Sequence, residues 1–308
     1  MTDDSDESHI IRTLLRSAPG PVRDPRAPGH DGVVVDPARG LEVVAIDTLV
    51  EGVHFDDRLD ATDVGWKSVA VNVSDIGAMG ARPTWALLSL ALPGPLDRSW
   101  VDGFAEGLHA ALDHWAVRLV GGDTVRSPGP IVVTLSIAGD ARGQVPGRGG
   151  ARAGDALWVT GRLGRASAGF AGIADAHWLR RPEPPVSFGA ALGEAGIPHA
   201  MMDLSDGLRT DLARLCATSG VGAVVDPLAL PIAEALVGRP DAIDHAVAFG
   251  DDYELLFATD APTARVTALA AGHGTSVARI GTITAGSEVV LTGRAWPPAR
   301  FVHFGSGE

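Results

Sequence analysis

The feature that most constrains the fold is an alternation, along most of the chain, between short apolar segments and segments with helical spacing. Residues 41–46 form an apolar run of the kind typical of a strand. The next segment places apolar residues on one helical face, namely Trp66, Val69, Val73 and Ile76. Because strands and helices alternate throughout, the sequence predicts a mixed α/β fold.

The same patterns predict the remaining elements and one domain boundary. Further strands are expected at 85–92, 117–120, 131–137, 156–160, 201–204, 221–225, 253–258, 277–283 and 289–291, and further helices at 98–116, 166–174, 208–215, 232–237 and 261–271. Residues 140–154 contain five glycines and Pro146, a composition break between periodic segments. A chain of 308 residues exceeds the usual size of one domain. We therefore expect an N-terminal domain at 1–140 and a C-terminal domain at 141–308.

Charge and composition exclude several classes of function. The net charge of −13 argues against nucleic acid or an anionic membrane surface as a partner. Residues 1–7 are acidic and polar, and no apolar run approaches the roughly 20 residues of a membrane span. We expect a cytoplasmic protein. Its single cysteine, Cys216, lies in an apolar helical pattern and is interpreted as a buried structural thiol.

The distribution of lysine constrains how phosphate can be bound. Lys67 is the only lysine, and the chain contains no Gly-Lys-Ser or Gly-Lys-Thr string. A Walker-type phosphate loop requires that lysine. Any nucleotide chemistry must therefore rely on metal ions, arginine and backbone amides.

Five short segments place acidic residues next to glycine, serine or threonine. They are His30-Asp31-Gly32, Asp47-Thr48, Ser74-Asp75, Gly121-Gly122-Asp123-Thr124 and Asp203-Leu204-Ser205-Asp206-Gly207. Each one alone is more often a turn or a helix cap than a ligand site. Together, converging carboxylates without a counter-charge would raise one another's pKa, so a converged set implies bound cations. Ligands that are all oxygen suit Mg²⁺.

Taken in order, these segments resemble the thiamine-monophosphate kinase family of the aminoimidazole-ribonucleotide-synthetase-like superfamily. The resemblance also covers residues 49–55, 72–81 and 250–255, and Trp296 with residues 301–304. It implies a two-domain α/β (α+β) fold in which the N-terminal domain carries the ATP and Mg²⁺ sites and pairs with its twin into a dimer barrel. The implied reaction is the phosphorylation of thiamine monophosphate by ATP.

The resemblance also assigns roles to individual residues. Asp75, Asp47 and Asp123 are the implied catalytic residues. The implied Mg²⁺ ligands are Asp31, Asp47, Asp75, Asp123, Asp203 and Asp206. Gly122, Asp123, Arg148 and Ser205 are expected to face ATP, and His54, Asp251 and Phe301 to face the acceptor. For His54, Asp251 and Phe301 a purely structural role is an equal alternative.

The chain departs from the family pattern at three positions. Gly29-His30-Asp31-Gly32 replaces the usual Gly-Asp-Asp-Ala, and Ala45-Ile46 replaces Ser-Thr before Asp47. Asp251 replaces a glutamate. Two alternatives therefore stay open: the same kinase chemistry on another small phosphorylated or carboxylated acceptor, and a non-catalytic protein that binds ATP. Relatives that make selenophosphate or dehydrate a carbamoyl-cysteine tail fit poorly, because they need an N-terminal or C-terminal cysteine that this chain lacks.

Overall fold

The computed structural model describes Ile10, Thr13, Leu14 and residues 39–95 and 97–300. Two residues predicted to be functional, Asp31 and Phe301, lie outside this set. The chain divides into two compact units, one formed by residues 1–76 and 82–140 and the other by residues 77–81 and 141–308.

The first unit is built on a four-stranded sheet. Its elements are β1 (Leu41–Val50), α1 (Ala61–Ala78), β2 (Arg82–Pro93), α2 (Arg98–His114), β3 (Arg118–Ser127) and β4 (Val132–Ala141). The strand order is β1-β4-β2-β3. Strand β2 runs antiparallel to β4 and parallel to β3, with α2 as the connection to β3. The edge strands of this sheet are therefore β1 and β3.

Alternate residues of these strands have different environments. In β2, Leu88, Leu90 and Leu92 are buried, whereas Leu87 and Ser89 are partly or fully exposed. Successive side chains of a strand point to opposite faces, so one face of the sheet is part of the core. Helices α1 and α2 supply buried apolar surface to this unit, including Val73, Ile76, Phe104 and Leu108.

The second unit is built on a six-stranded sheet. Its elements are β5 (Ala156–Thr160), α3 (Arg165–Phe170), α4 (His177–Arg180), α5 (Val186–Glu194), β6 (Ala200–Asp203), α6 (Leu208–Ser219), β7 (Gly222–Val225), α7 (Ala242–Ala248), β8 (Leu255–Thr259), α8 (Thr263–Gly272), β9 (Val277–Thr284) and β10 (Val289–Leu291), with 3₁₀ helices at Pro227–Ala229 and Glu234–Leu236. The strand order is β10-β7-β9-β5-β8-β6, and only the β10–β7 pair is parallel. Among the described residues, three apolar clusters pack in this unit.

This antiparallel order positions the functional loops. Strands β5 and β6 both pair antiparallel with β8. The C-terminal ends of β5 and β6 therefore lie at the same sheet edge as the N-terminal end of β8. The segments after Thr160, after Asp203 and before Leu255 meet at this edge.

The structure confirms the predicted fold class and most of the elements. The predicted apolar face of α2 is buried at Phe104, Leu108 and Leu112, and Cys216 is buried. Three helices were missed: α4 has only four residues, α5 follows a proline-rich segment, and α7 has only seven residues. All four strands of the first unit extend beyond the predicted bounds: β1 continues through Asp47 to Val50, β2 begins at Arg82, β3 continues to Ser127 and β4 continues to Ala141.

Helices α1 and α6 begin with different caps. Asp60 caps α1 by accepting the N–H of Asp63 at 2.8 Å, so Asp63 lies in the first turn. Gly207, with φ +99°, occupies the cap position of α6, so Ser205 does not cap that helix. Among the described helices, none is long and apolar enough to span a membrane.

Candidate functional site

Two of the predicted motifs of the second unit are joined by backbone hydrogen bonds. The N–H of Asp251 donates to the Ser205 carbonyl oxygen at 2.9 Å, and the N–H of Tyr253 donates to the Leu204 oxygen at 3.0 Å. The N–H of Leu204 donates to the Glu254 oxygen at 2.8 Å. The segment after β6 and the segment before β8 therefore form one structural element.

Glycine is required where these two segments touch. A Cβ atom on Gly250 would lie 2.0 Å from the Ser205 carbonyl oxygen, and one on Gly207 would lie 2.6 Å from the Phe249 oxygen. Side-chain carbons do not approach backbone oxygen this closely. The glycines thus allow the acidic residues Asp206 and Asp251 to be carried on adjacent backbones.

Two further carboxylates fix the loop before β8. Asp252 accepts the N–H of Gly164 at 2.7 Å, just before α3. Glu254 accepts the hydroxyl of Thr160 at 2.6 Å. Burial raises the pKa of Asp252 to about 8 and also raises the pKa of Glu254. These side chains connect the loop to the end of β5, and no sequence pattern indicated a role for either of them.

An ion-pair network lies at the start of α6. The backbone N–H of Asp206 donates to Asp211 Oδ2 at 2.9 Å, and Arg214 Nη1 contacts Asp211 Oδ1 at 3.0 Å. The same Arg214 nitrogen pairs with Asp206. Burial, helped by the charges of Asp206 and Asp203, raises the pKa of Asp211 to about 7. One arginine thus offsets part of the charge of three crowded carboxylates.

In the first unit, a polar row crosses the four-stranded sheet on its exposed face. Thr48 and Thr134 share a hydrogen bond of 2.8 Å between their Oγ1 atoms. Thr134 is opposite Ser89, and Ser89 is opposite Asp123. Because paired residues point to the same face, the row places Asp123 on that face.

Asp47 lies elsewhere on the same sheet. It precedes Thr48 on β1, so its side chain points to the opposite face from Thr48 and Asp123. It also lies on the opposite edge strand from Asp123, three strand spacings or roughly 14 Å away. Asp47 and Asp123, both predicted metal ligands, therefore do not lie together within a single four-stranded sheet.

The other predicted residues of the first unit have identifiable local roles. Gly122 is needed for strand pairing, because a Cβ atom there would lie 2.0 Å from the Leu88 carbonyl oxygen. His54 Nδ1 accepts the N–H of Val50 at 3.1 Å and closes the turn after β1. Asp75 is partly buried on α1. One turn earlier, Asn72 Oδ1 is buried and has no hydrogen-bond partner among the described residues.

Arg148 and Ser205 lie at opposite ends of α6. The Ser219 hydroxyl, at the last residue of α6, donates to the Arg148 carbonyl oxygen at 3.0 Å. Ser205 precedes the same helix, whose 12 residues span about 18 Å. Only an extended ligand could contact both residues.

Near the start of α6, Arg209 Nη1 donates to the Pro297 oxygen, and the Arg300 N–H donates to the Ala248 oxygen.

The donor chemistry of the predicted metal ligands fits Mg²⁺. The candidates are carboxylates, and Asn72 Oδ1, which has no partner among the described residues, adds a buried oxygen one helical turn before Asp75. Within the described ranges, no three His, Cys, Asp or Glu side chains form a group that could hold a metal by themselves. Mg²⁺ is usually bound by one or two carboxylates together with substrate phosphates. The residues therefore fit a Mg²⁺ ion that arrives with a phosphate ligand.

Comparison with known proteins covers both units. The family profile described as AIR synthase related protein, N-terminal domain, matches residues 29–141, and the corresponding C-terminal domain profile matches residues 152–294. The thiamine-monophosphate kinase of Salmonella typhimurium is 40% identical over 238 residues, 72% of each chain. That of Escherichia coli K12 is 37% identical over 270 residues, 82% of each chain.

The chain belongs to the thiamine-monophosphate kinase family. The structure also resembles the crystal structure of thiamine-monophosphate kinase from Stenotrophomonas maltophilia K279a, with a TM-score of 0.79, 39% identity and coverage of 87% of this chain and 90% of that chain. It resembles AaThiL complexed with AMPPCP and TMP, with a TM-score of 0.75, 31% identity and coverage of 83% and 85%. Escherichia coli HypE shares the fold at 18% identity and a TM-score of 0.74.

Several site residues of this family member were not found from the sequence. Tyr253 donates its hydroxyl to Asp251 Oδ1 at 3.0 Å, and Arg214 pairs with Asp206. One signal was available, since Tyr253 is the only tyrosine of the chain and lies inside the motif Gly250–Leu255. Arg214 offered no comparable signal, because an arginine on a helix is usually a solvated charge.

Proposed function

We propose that this protein transfers the terminal phosphoryl group of ATP to the phosphate of thiamine monophosphate, giving thiamine diphosphate and ADP. The observation that carries the proposal is the similarity to thiamine-monophosphate kinases at 37–40% identity over 72–82% of both chains. The similarity to AaThiL complexed with AMPPCP and TMP supports the choice of both substrates.

The chemistry requires little from a general base. A phosphate monoester is already anionic at neutral pH, so its oxygen can attack without losing a proton. Repulsion between the two phosphates is the main obstacle, and bound Mg²⁺ supplies positive charge that reduces it. In this proposal Asp47, Asp75, Asp123, Asp203 and Asp206 would hold Mg²⁺, as would Asp31 beyond the described residues.

Substrate binding is divided between motifs in the same proposal. Gly122, Asp123, Arg148 and Ser205 would face ATP, and His54, Asp251 and Phe301 would face the acceptor. The partial exposure of Asp251 beside the Ser205–Gly207 turn supports its assignment. The N-terminal domain, residues 1–140, would carry ATP and Mg²⁺ contacts.

The proposal includes a homodimer formed through the four-stranded sheet. Val44 and Ile46 on β1 and Val125 on β3 are 64%, 63% and 48% exposed, on the two edge strands. A second copy would cover this apolar surface. Dimerisation would also allow Asp47 of one copy to lie near Asp123 of the other, although the two residues lie on opposite edge strands of one sheet. Light scattering coupled to size-exclusion chromatography should give twice the mass of 31.7 kDa.

The proposed partners are small molecules, with no nucleic acid or membrane. The net charge of −13 supports this, because polyanions and anionic lipid surfaces would be repelled. A cytoplasmic location belongs to the same proposal, since ATP and phosphorylated vitamins are intracellular substrates.

The deciding experiment is incubation of the protein with ATP, Mg²⁺ and thiamine monophosphate. Chromatography should detect thiamine diphosphate and ADP in equal amounts, with the Escherichia coli relative as the positive control. Omission of thiamine monophosphate should abolish ADP release. No product under conditions in which the control turns over would refute the proposal.

A second candidate is the same chemistry on another small phosphorylated or carboxylated acceptor. Asp251, one methylene shorter than the family's glutamate, and the Ala45-Ile46 replacement favour it. A screen of acceptors monitored by ADP release distinguishes the two candidates. ATP binding without turnover on any acceptor would instead favour a non-catalytic protein.

A further inference from the structure

Two residues before β8 have backbone conformations that are rare for residues with a side chain. Asp251 has φ +65° and Tyr253 has φ +48°. Within residues 39–95 and 97–300, the only other non-glycine residue with positive φ is Ala116. Such conformations cost free energy and persist only where the surrounding structure enforces them. Two of them in one short loop indicate that the loop has a required shape.

The contacts on either side of the loop show what enforces that shape. The N–H groups of Asp251 and Tyr253 are bound by the segment after β6. The carboxylates of Asp252 and Glu254 are bound by Gly164 and Thr160 on the opposite side. The backbone is therefore fixed at consecutive residues, and the side chain of Asp251 is directed by a backbone with little freedom.

The tyrosine fixes the side chain of Asp251 as well. Its hydroxyl donates to Asp251 Oδ1 at 3.0 Å. Tyr253 is only 7% exposed, so its ring is held by packing and its hydroxyl is a rigid donor. A hydrogen bond to a carboxylate is stronger than one between neutral groups and restricts the rotamer of the acid. Removal of the hydroxyl should leave the ring in place and remove this restraint on the carboxylate.

We propose that Tyr253 is a positioning residue that orients the Asp251 carboxylate toward the acceptor. Through Asp251 it selects acceptors that present an N–H donor or a positive charge at that point, because a fixed carboxylate binds such groups best. The role rests on the proposed function, in which Asp251 faces thiamine monophosphate, a molecule with an amino group and a cationic ring.

A double-mutant cycle tests this role. It uses the wild-type protein, Tyr253→Phe, Asp251→Asn and the double variant. Calorimetry measures the dissociation constant of thiamine monophosphate in the presence of Mg²⁺ and a non-hydrolysable ATP analogue, and steady-state kinetics give kcat and KM. Tyr253→Phe should raise the acceptor dissociation constant and KM about tenfold, the effect of one hydrogen bond to a charged group. The KM for ATP and kcat should change less than about twofold.

The second leg of the cycle separates positioning from general stability. In the Asp251→Asn background, Tyr253→Phe should change acceptor affinity by less than about twofold, because the carboxylate that it orients is already gone. The matched control is Thr259→Val, which removes a buried hydroxyl bound to the Ile197 oxygen at the other end of β8. It should lower the melting temperature and leave acceptor affinity unchanged.

Each outcome of these measurements supports or overturns the positioning role of Tyr253. Equal effects of Tyr253→Phe in both backgrounds, or no effect in either, would overturn the positioning role while the kinase function stands. A wild-type protein that neither binds nor phosphorylates thiamine monophosphate would overturn the proposed function and this role with it. Loss of acceptor affinity in the Thr259→Val control would show that affinity follows stability, which also contradicts the role.

Discussion

Gly250→Ala is the substitution that most directly tests the contact between the two motifs of the second unit. The new Cβ atom would lie 2.0 Å from the Ser205 carbonyl oxygen, whereas real Cβ atoms essentially never lie closer than 3.0 Å to such an atom. The two segments must therefore separate by about 1 Å or more. That movement would break the 2.9 Å hydrogen bond between the Asp251 N–H and the Ser205 oxygen.

The expected cost is large because the obstructing atom belongs to the backbone. Overpacking typically costs about 1–3 kcal/mol, and a backbone oxygen cannot rotate away, so we expect about 3 kcal/mol. For a domain of this size that corresponds to a fall in melting temperature of about 6–12 °C. Acceptor affinity should fall at least about tenfold, because Asp251 moves with its backbone.

Thermal denaturation followed by circular dichroism and acceptor titration by calorimetry measure the two effects. Gly272→Ala is the matched control, since its Cβ atom would have no heavy atom within 4 Å at the exposed end of α8. This control should be neutral or slightly stabilising. Unchanged stability and affinity in Gly250→Ala would refute the close contact of the motifs. Lower stability with unchanged affinity would refute their shared role in binding.

Three further predictions concern charge. Asp75→Asn should abolish turnover and leave the circular dichroism spectrum unchanged; full activity would contradict its assigned role. Burial raises the pKa of Asp252 from its ordinary value of 3.8 to about 8, so its contribution to stability is present below about pH 4 and is lost as the pH rises toward 8. The shift corresponds to about 4 kcal/mol at pH 7, which partial exposure reduces to roughly 2 kcal/mol. In urea denaturation, the free energy of unfolding of the wild-type protein should decline between pH 5 and 8, and that of Asp252→Asn should lack this decline. Parallel pH curves for the two proteins would exclude this effect of Asp252. Arg214→Gln removes the cation that pairs with Asp206 and would compete with Mg²⁺ for it. The Mg²⁺ concentration for half-maximal binding of an ATP analogue should therefore fall roughly threefold. A higher or unchanged Mg²⁺ concentration would show that the arginine does not compete with Mg²⁺.

Local sequence patterns were sufficient to predict the fold class and most of the elements. Burial of an apolar face is a local property of periodicity, so α2 was found from its repeating Phe104, Leu108 and Leu112. The collinear acidic motifs likewise indicated the family, because each motif is a short string that can be read without knowledge of its neighbours in space.

Which acidic residues lie together could be learned only from the folded chain. Strand order depends on pairing between distant segments, which periodicity does not encode, so Asp47 and Asp123 were found on opposite edge strands. The same long-range pairing brought Ser205 against Asp251 and placed Asp252 at the start of α3. The positive φ angles of Asp251 and Tyr253 were equally hidden from the sequence, because neighbouring segments of the fold impose them against the local preference of both residues.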